Sequence, residues 1–178
     1  MLNVDVQLAS AGDLDALARL LGDCVREMQA RGLDQWDDVY PNRATLEADV
    51  AAGTLYRATL AGGGGELIGS LTLNQHHDPE YAEVPWQVTA QPIALVHRLM
   101  VHPSVQHRGL GRFLMRFAER RAHQLGFRAL RLDTYLANDR ALALYRSLGY
   151  GEPGQVRFRK GLFACFEKAL GESDPVSP

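Results

Sequence analysis

The chain has 178 residues, 46% hydrophobic and 8% aromatic, which suits one globular domain with a full-sized core. A formal net charge of −2 gives no support to bulk attraction to nucleic acid or to an anionic membrane. No run approaches the roughly eighteen continuous apolar residues of a membrane span.

The residues Met1 to Val6 lack the basic and apolar segments of a signal peptide. Cys24 and Cys165 lie far apart in sequence and read as buried thiols of a reducing compartment. The expected location is therefore the cytoplasm.

Val4 to Ala9 alternates like a strand, and Ser10 can cap a helix from about Gly12 to Arg31, ended by Gly32. Leu33 to Pro41 reads as a connecting loop. Asn42 can cap a short helix through Val50, stopped at Gly53. Thr54 to Leu60 and Leu67 to Leu73 are strand-like, with Gly62 to Gly65 as a hairpin loop between them. Asn74 to Gln91 has two prolines and no clear period, so it reads as a long loop or partial strand.

Ile93 to Val101 is an apolar strand closed by His102-Pro103. A helix follows, with Leu110, Phe113, Leu114, Phe117, Arg121 and Leu125 on one stripe. Arg128 to Tyr135 is a strand, and Asn138 to Leu148 a helix with Asn138 as cap and Gly149 just past its end. Gln155 to Phe158 and Leu162 to Lys168 close the fold as strands. The tail from Gly171 has a disordered composition. This order implies a mixed α/β sheet with helices on its faces.

The segment Gln106-His107-Arg108-Gly109-Leu110-Gly111 stands between strand and helix. The first four amides of a helix have no internal partners, and the macrodipole places roughly +0.5 charge there. Glycines at 109 and 111 let a phosphate approach the backbone. A helix start ordinarily attracts Asp or Glu, yet no acidic residue occurs between Val84 and Ala118, while Arg98, Arg108, Arg112 and Arg116 do. An anionic ligand makes sense of that charge pattern.

These residues carry a family resemblance. The QHRGLG turn matches the Gln/Arg-x-x-Gly-x-Gly/Ala signature of the GNAT superfamily of acyl-CoA-dependent N-acyltransferases. Leu99-Met100-Val101-His102-Pro103 looks like that family's central strand. Asn138 to Tyr150, with Ala141, Tyr145 and Gly149, looks like its second cofactor motif. The resemblance spans Val4 to Lys168 and implies a central mixed, largely antiparallel sheet with splayed central strands and helices on both faces. It implies a single domain over residues 1–170.

It also implies acetyl-CoA as cofactor. Leu99, Met100 and Val101 would hold the pantetheine arm, and the segment Gln106, His107, Arg108, Gly109, Leu110, Gly111 and Arg112 the diphosphate. Asn138 would touch the coenzyme while also capping its helix. Tyr145 would protonate the leaving thiolate; core packing beside Ala141 and Leu148 is its other reading. Many such relatives are dimers, so a homodimer is a partner the resemblance allows.

Acyl transfer needs a neutral amine. A lysine-like amine with a pKa near 10.4 lies about 3.4 units above pH 7, a deficit of roughly 4.6 kcal/mol. A base in the site offsets much of this. His97 fills that role by position and by its titration range, with a buried hydrogen-bonded histidine as the other reading. Glu83 or a water chain is the fallback. Strand alternation would put His97, Leu99 and Val101 on one face and Arg98 and Met100 on the other. An Arg98–Asp133 cross-strand ion pair is expected.

Trp36, Tyr40, Tyr81 and Trp86 are candidates for the acceptor pocket, or else cover the core. His76 and His77 beside Asp78 do not read as a metal site, because adjacent strand residues face opposite ways. The leading function is transfer of acetyl to a small-molecule amine. The alternatives are a protein or peptide acetyltransferase, acting on an N-terminus or a lysine, and a CoA-binding module without catalysis.

Overall fold

The computed structural model describes residues 3–62 and 65–171. Among these the order is β1 (Val4–Leu8), α1 (Leu14–Ala30), α2 (Arg43–Ala51), β2 (Leu55–Leu60), β3 (Leu67–Asn74) and β4 (Ile93–Val101). Then come α3 (Leu110–Gln124), β5 (Ala129–Tyr135), α4 (Asp139–Ser147), β6 (Gly151–Phe158) and β7 (Gly161–Ala169). Among the described residues the fold is mixed α/β, on a seven-stranded, mostly antiparallel open sheet ordered β1-β2-β3-β4-β5-β7-β6. Residues 172–178 of the tail expected to be disordered, and residues 63 and 64 of the β2–β3 hairpin loop, lie outside the described residues.

The chain forms two compact units, one of Met1–Leu73 with His97–Leu114, the other of Asn74–Val96 with Met115–Pro178. Strand β4 and helix α3 each begin in one unit and run on into the other.

In the first unit, β1 pairs antiparallel with β2, and β2 with β3 through an irregularity at Ala58/Thr59. Leu17, Leu20, Leu21 and Cys24 of α1 close over Leu46, Leu55 and Met100. Each such large side chain contributes about 1.5–3 kcal/mol by leaving water. The caps are where the sequence places them. The Asp13 carboxylate accepts from the Ser10 amide and hydroxyl at 2.8 and 2.9 Å, and Asn42 Oδ1 accepts from the Thr45 amide at 3.1 Å.

In the second unit, β4 and β5 pair in parallel through Ile93–Ala129, Ala94–Leu130 and Leu95–Arg131, and β4 continues past that ladder to Val101. β5 pairs antiparallel with β7 from Ala129–Ala169 to Tyr135–Phe163. Successive β7 side chains face opposite ways. Tyr145 of α4 packs its ring 5.3 Å from Phe166, while Tyr81 and Val84 cluster with Cys165 and Phe163.

Three local expectations change. The buried row of α3 is Leu110, Leu114, Met115, Ala118 and Ala122, while Phe113 and Leu125 are 38% and 50% exposed. The row is completed by two alanines, fully buried at 0% exposure, where bulky residues were expected. Strand β6 begins at Gly151 rather than Gln155, through a register shift between Gly151 and Gly154 that contains Pro153. Arg98 has a left-handed φ of 51°, which interrupts the extended backbone on which the β4 alternation rested.

Candidate functional site

The first unit contributes the end of β4 and the turn after it. The Val101 carbonyl accepts from Gln106 Nε2 at 3.4 Å and from Cys24 Sγ at 3.5 Å, tying strand, turn and helix α1 together. Burial pushes the Cys24 thiol up to about 12, with the Val101 contact pulling the other way. Gly69 of β3 makes the close approach possible. A Cβ there would meet the Met100 carbonyl oxygen at 2.8 Å, and Leu114 and Leu110 at 3.1 and 3.4 Å.

Within the turn, His107 and Gly109 have φ of 61° and 85°, on either side of Arg108. Left-handed residues set among right-handed ones turn successive amides into an anion-binding concavity. A side chain at Gly109 would meet nothing within 4 Å, so the glycine is required by backbone conformation and the space beside it is open. The first bond of the following helix turn runs from the Phe113 amide to the Gly109 carbonyl at 3.0 Å. The first turn of α3 contains no acidic residue. Its donors and local charge therefore suit a diphosphate. His107, Arg108, Gly109 and Arg112 are exposed, while Leu110 is buried as the anchor of the helix start.

Arg98 does not pair with Asp133. Its Nε and Nη2 donate to Asp49 Oδ2 of α2 at 2.9 and 2.5 Å, and its Nη1 donates to the Tyr40 hydroxyl at 2.6 Å. The Thr72 hydroxyl donates to the same Asp49 oxygen at 2.8 Å. A carboxylate one helix away in the fold leaves no trace in strand patterning. Of the aromatic candidates in this unit, Tyr40 is thus held by Arg98, and Trp36 packs on the α1–α2 core. His97, Leu99 and Val101 are partly buried.

The second unit contains the remaining candidates. Asn138 caps α4, its Oδ1 accepting from the Ala141 amide at 3.2 Å. Tyr145 is 6% exposed, between Phe166 and Tyr150. Burial, and then the Asp133 charge, push its phenol above the ordinary range.

Tyr81 and Trp86 are brought together, rings 5.3 Å apart, with Trp86 Nε1 donating to the Tyr81 carbonyl at 3.0 Å. The Arg131 guanidinium lies 4.2 Å from the Trp86 ring centre. Glu83 is exposed. The Tyr81 hydroxyl donates to Asp133, a residue that sequence reasoning used only as an ion-pair partner. Burial raises the Asp133 carboxyl to about 6 against the opposing pull of that hydrogen bond, and Asp78 adds to the rise. A carboxylate inside a mostly buried strand was the signal available for it.

Among the described residues no helix is long and apolar enough to cross a membrane. The profile of the Acetyltransferase (GNAT) family matches residues 18–150. None of the curated protein sequences matches the chain. An acetyltransferase of the GNAT family from Streptococcus agalactiae is similar at 22% identity, over 95% of this chain and 96% of its own, with a TM-score of 0.82.

The ribosomal-protein-S18-alanine N-acetyltransferase from Escherichia coli is similar at 16% identity, over 98% and 99%, with a TM-score of 0.69. The PaiA N-acetyltransferase from Thermoplasma acidophilum, solved in complex with coenzyme A, is similar at 18% identity, over 93% and 98%, also at 0.69. At these identities the likeness establishes the fold.

Proposed function

Because this chain belongs to the GNAT acetyltransferase family, we propose that it transfers acetyl from acetyl-CoA to a primary amine of a small molecule, directly and within a ternary complex. The observation that carries the reading is the turn Gln106 to Arg112, left-handed at His107 and Gly109 and free of acidic residues at the start of α3. The coenzyme, when bound, supplies an acetyl thioester. Amides of the turn hold its diphosphate, and Leu99, Met100 and Val101 its pantetheine arm. Asn138 lies against the coenzyme while capping α4.

His97 takes the proton of the acceptor amine, with Glu83 or a water chain as the substitute. Tyr145 keeps its proton, because its phenol is raised by burial and an ordinary thiol titrates near 8.5. It therefore steadies the departing sulfur by donating a hydrogen bond. A net charge of −2 with no acidic run favours a small molecule over a basic peptide. The same reading takes residues 1–170 as one catalytic domain working in the cytoplasm.

The test is a titration with coenzyme A, followed by an amine panel with acetyl-CoA in which coenzyme release is measured. Wild type should bind and turn over, and Gly109→Leu should bind coenzyme A more weakly. Affinity unaltered by that substitution counts against the turn, and the absence of transfer to any amine counts against the enzyme.

A further inference from the structure

Buried carboxylates in this protein come with cations. Asp49 has Arg98, Glu119 has Arg116 at 2.8 Å and Lys168 at 3.0 Å, and Glu167 has Arg131 at 3.0 Å. Such pairing is what burial of charge demands. Asp133 breaks the pattern: among the described residues its hydrogen bond comes from a neutral group, the Tyr81 hydroxyl, and no ion pair compensates it.

The cation on the same strand face, Arg131, is already paired with Glu167 at 3.0 Å. His77 packs edge-on to Tyr81 at 6.4 Å and is pushed toward its neutral form by burial and by Arg131. Asp78 contributes more negative potential, and Tyr145 and Cys165 both feel the Asp133 charge. Asp133 nonetheless keeps part of its surface accessible, whereas Tyr81 is 3% exposed.

The pairing of β5 with β7 puts Arg131, Asp133 and Tyr135 on one face, opposite Glu167, Cys165 and Phe163. Asp133 thus stands between an ion pair that is already neutral as a unit and an aromatic pair, Tyr135 and Phe163, 5.3 Å apart. A partly accessible anion beside aromatic rings has the chemistry of a receptor for an organic cation.

We propose that Asp133, oriented by Tyr81, receives an alkylammonium ion, and that the acceptor amine accordingly belongs to the class that arrives protonated with an apolar body. The identification of that ion with the acceptor rests on the acyl-transfer reading above. Asp133 is then a specificity-determining residue, selecting alkylamines over neutral aromatic amines of similar size.

The experiment uses the full chain and n-butylammonium as probe, with n-butanol as its uncharged counterpart. Carboxyl carbon NMR follows the titration of Asp133. The ammonium should lower its midpoint, because a nearby cation favours the charged form, and the alcohol should leave it in place. In Asp133→Asn the dissociation constant for n-butylammonium should rise by about tenfold or more, with coenzyme A affinity unchanged.

A midpoint unmoved by the ammonium, or moved equally by the alcohol, overturns the proposal. So does ammonium binding of full strength in Asp133→Asn. These readouts need no turnover. Binding at Asp133 without transfer to any amine would sink the enzymatic reading and the acceptor assignment with it, and leave the ammonium site standing.

Discussion

Asp49 Oδ2 gathers three donors, Arg98 Nε at 2.9 Å, Arg98 Nη2 at 2.5 Å and the Thr72 hydroxyl at 2.8 Å. The two charged side chains are 12% and 9% exposed, so each neutralises a charge the other could not leave in water. Arg98 has the left-handed backbone of β4, and the pair holds that kink in place from the helix side. Asp49→Ala should therefore cost about 3–5 kcal/mol, since it strands a buried guanidinium. Combining it with Arg98→Met should recover part of the loss. Urea denaturation of the single and double variants is the check, and strict additivity of the two losses would refute the pairing.

Gly69 is needed for space and not for conformation. A methyl group there would sit 2.8 Å from the Met100 carbonyl oxygen, backbone that cannot swing aside. Gly69→Ala should cost about 1–3 kcal/mol through forced displacement of the strand. Gly12→Ala, whose new Cβ would lie 3.6 Å from Ser10 Oγ, should cost far less. Thermal melts of the two variants side by side measure the difference.

Replacing Tyr145 by Phe removes one hydroxyl from a ring packed on Phe166 and Tyr150. A hydrogen bond to a developing thiolate is worth about 1.5–3 kcal/mol, so kcat should fall roughly ten- to hundred-fold. Affinity for coenzyme A should hold. Steady-state kinetics with a working amine decide it, and unchanged turnover would return Tyr145 to the packing role.

The pH dependence of stability has a sign set by Asp133. Its carboxyl is raised from an ordinary 3.8 to about 6, so between those values the folded chain keeps a proton that the unfolded chain has lost. Stability from this group is fully present below about pH 4 and declines as pH rises toward 6. Asp133→Asn should abolish that decline. Denaturant midpoints of both proteins across pH 4 to 7 test it, and parallel curves would show that the carboxyl titrates normally.

Reading residues in order recovered what is local. Ser10, Asn42 and Asn138 announce helix starts because a cap acts within a single turn of chain. The turn at Gln106 to Gly111 was visible for the same reason, with glycine, cations and helix onset side by side in sequence. What escaped were partnerships between distant segments. Asp49 and Arg98 are 49 positions apart, and Tyr81 and Asp133 are 52 apart. Nothing in a strand's alternation reports which helix or loop will cross it.

The α3 row failed differently. Phe113 and Leu125 advertise hydrophobicity and are 38% and 50% exposed, yet the alanines at 118 and 122 are fully buried. Propensity and bulk pointed to the right helix and to the wrong edge of it.

Cys24 and Cys165 are both buried, and burial lifts both sulfhydryls to about 12. At neutral pH neither presents a thiolate, the form that attacks disulfide reagents. A chromogenic disulfide dye added to the native protein should therefore stay colourless until coenzyme sulfhydryl appears. The folded chain is by construction a silent background for the very assay its own chemistry calls for.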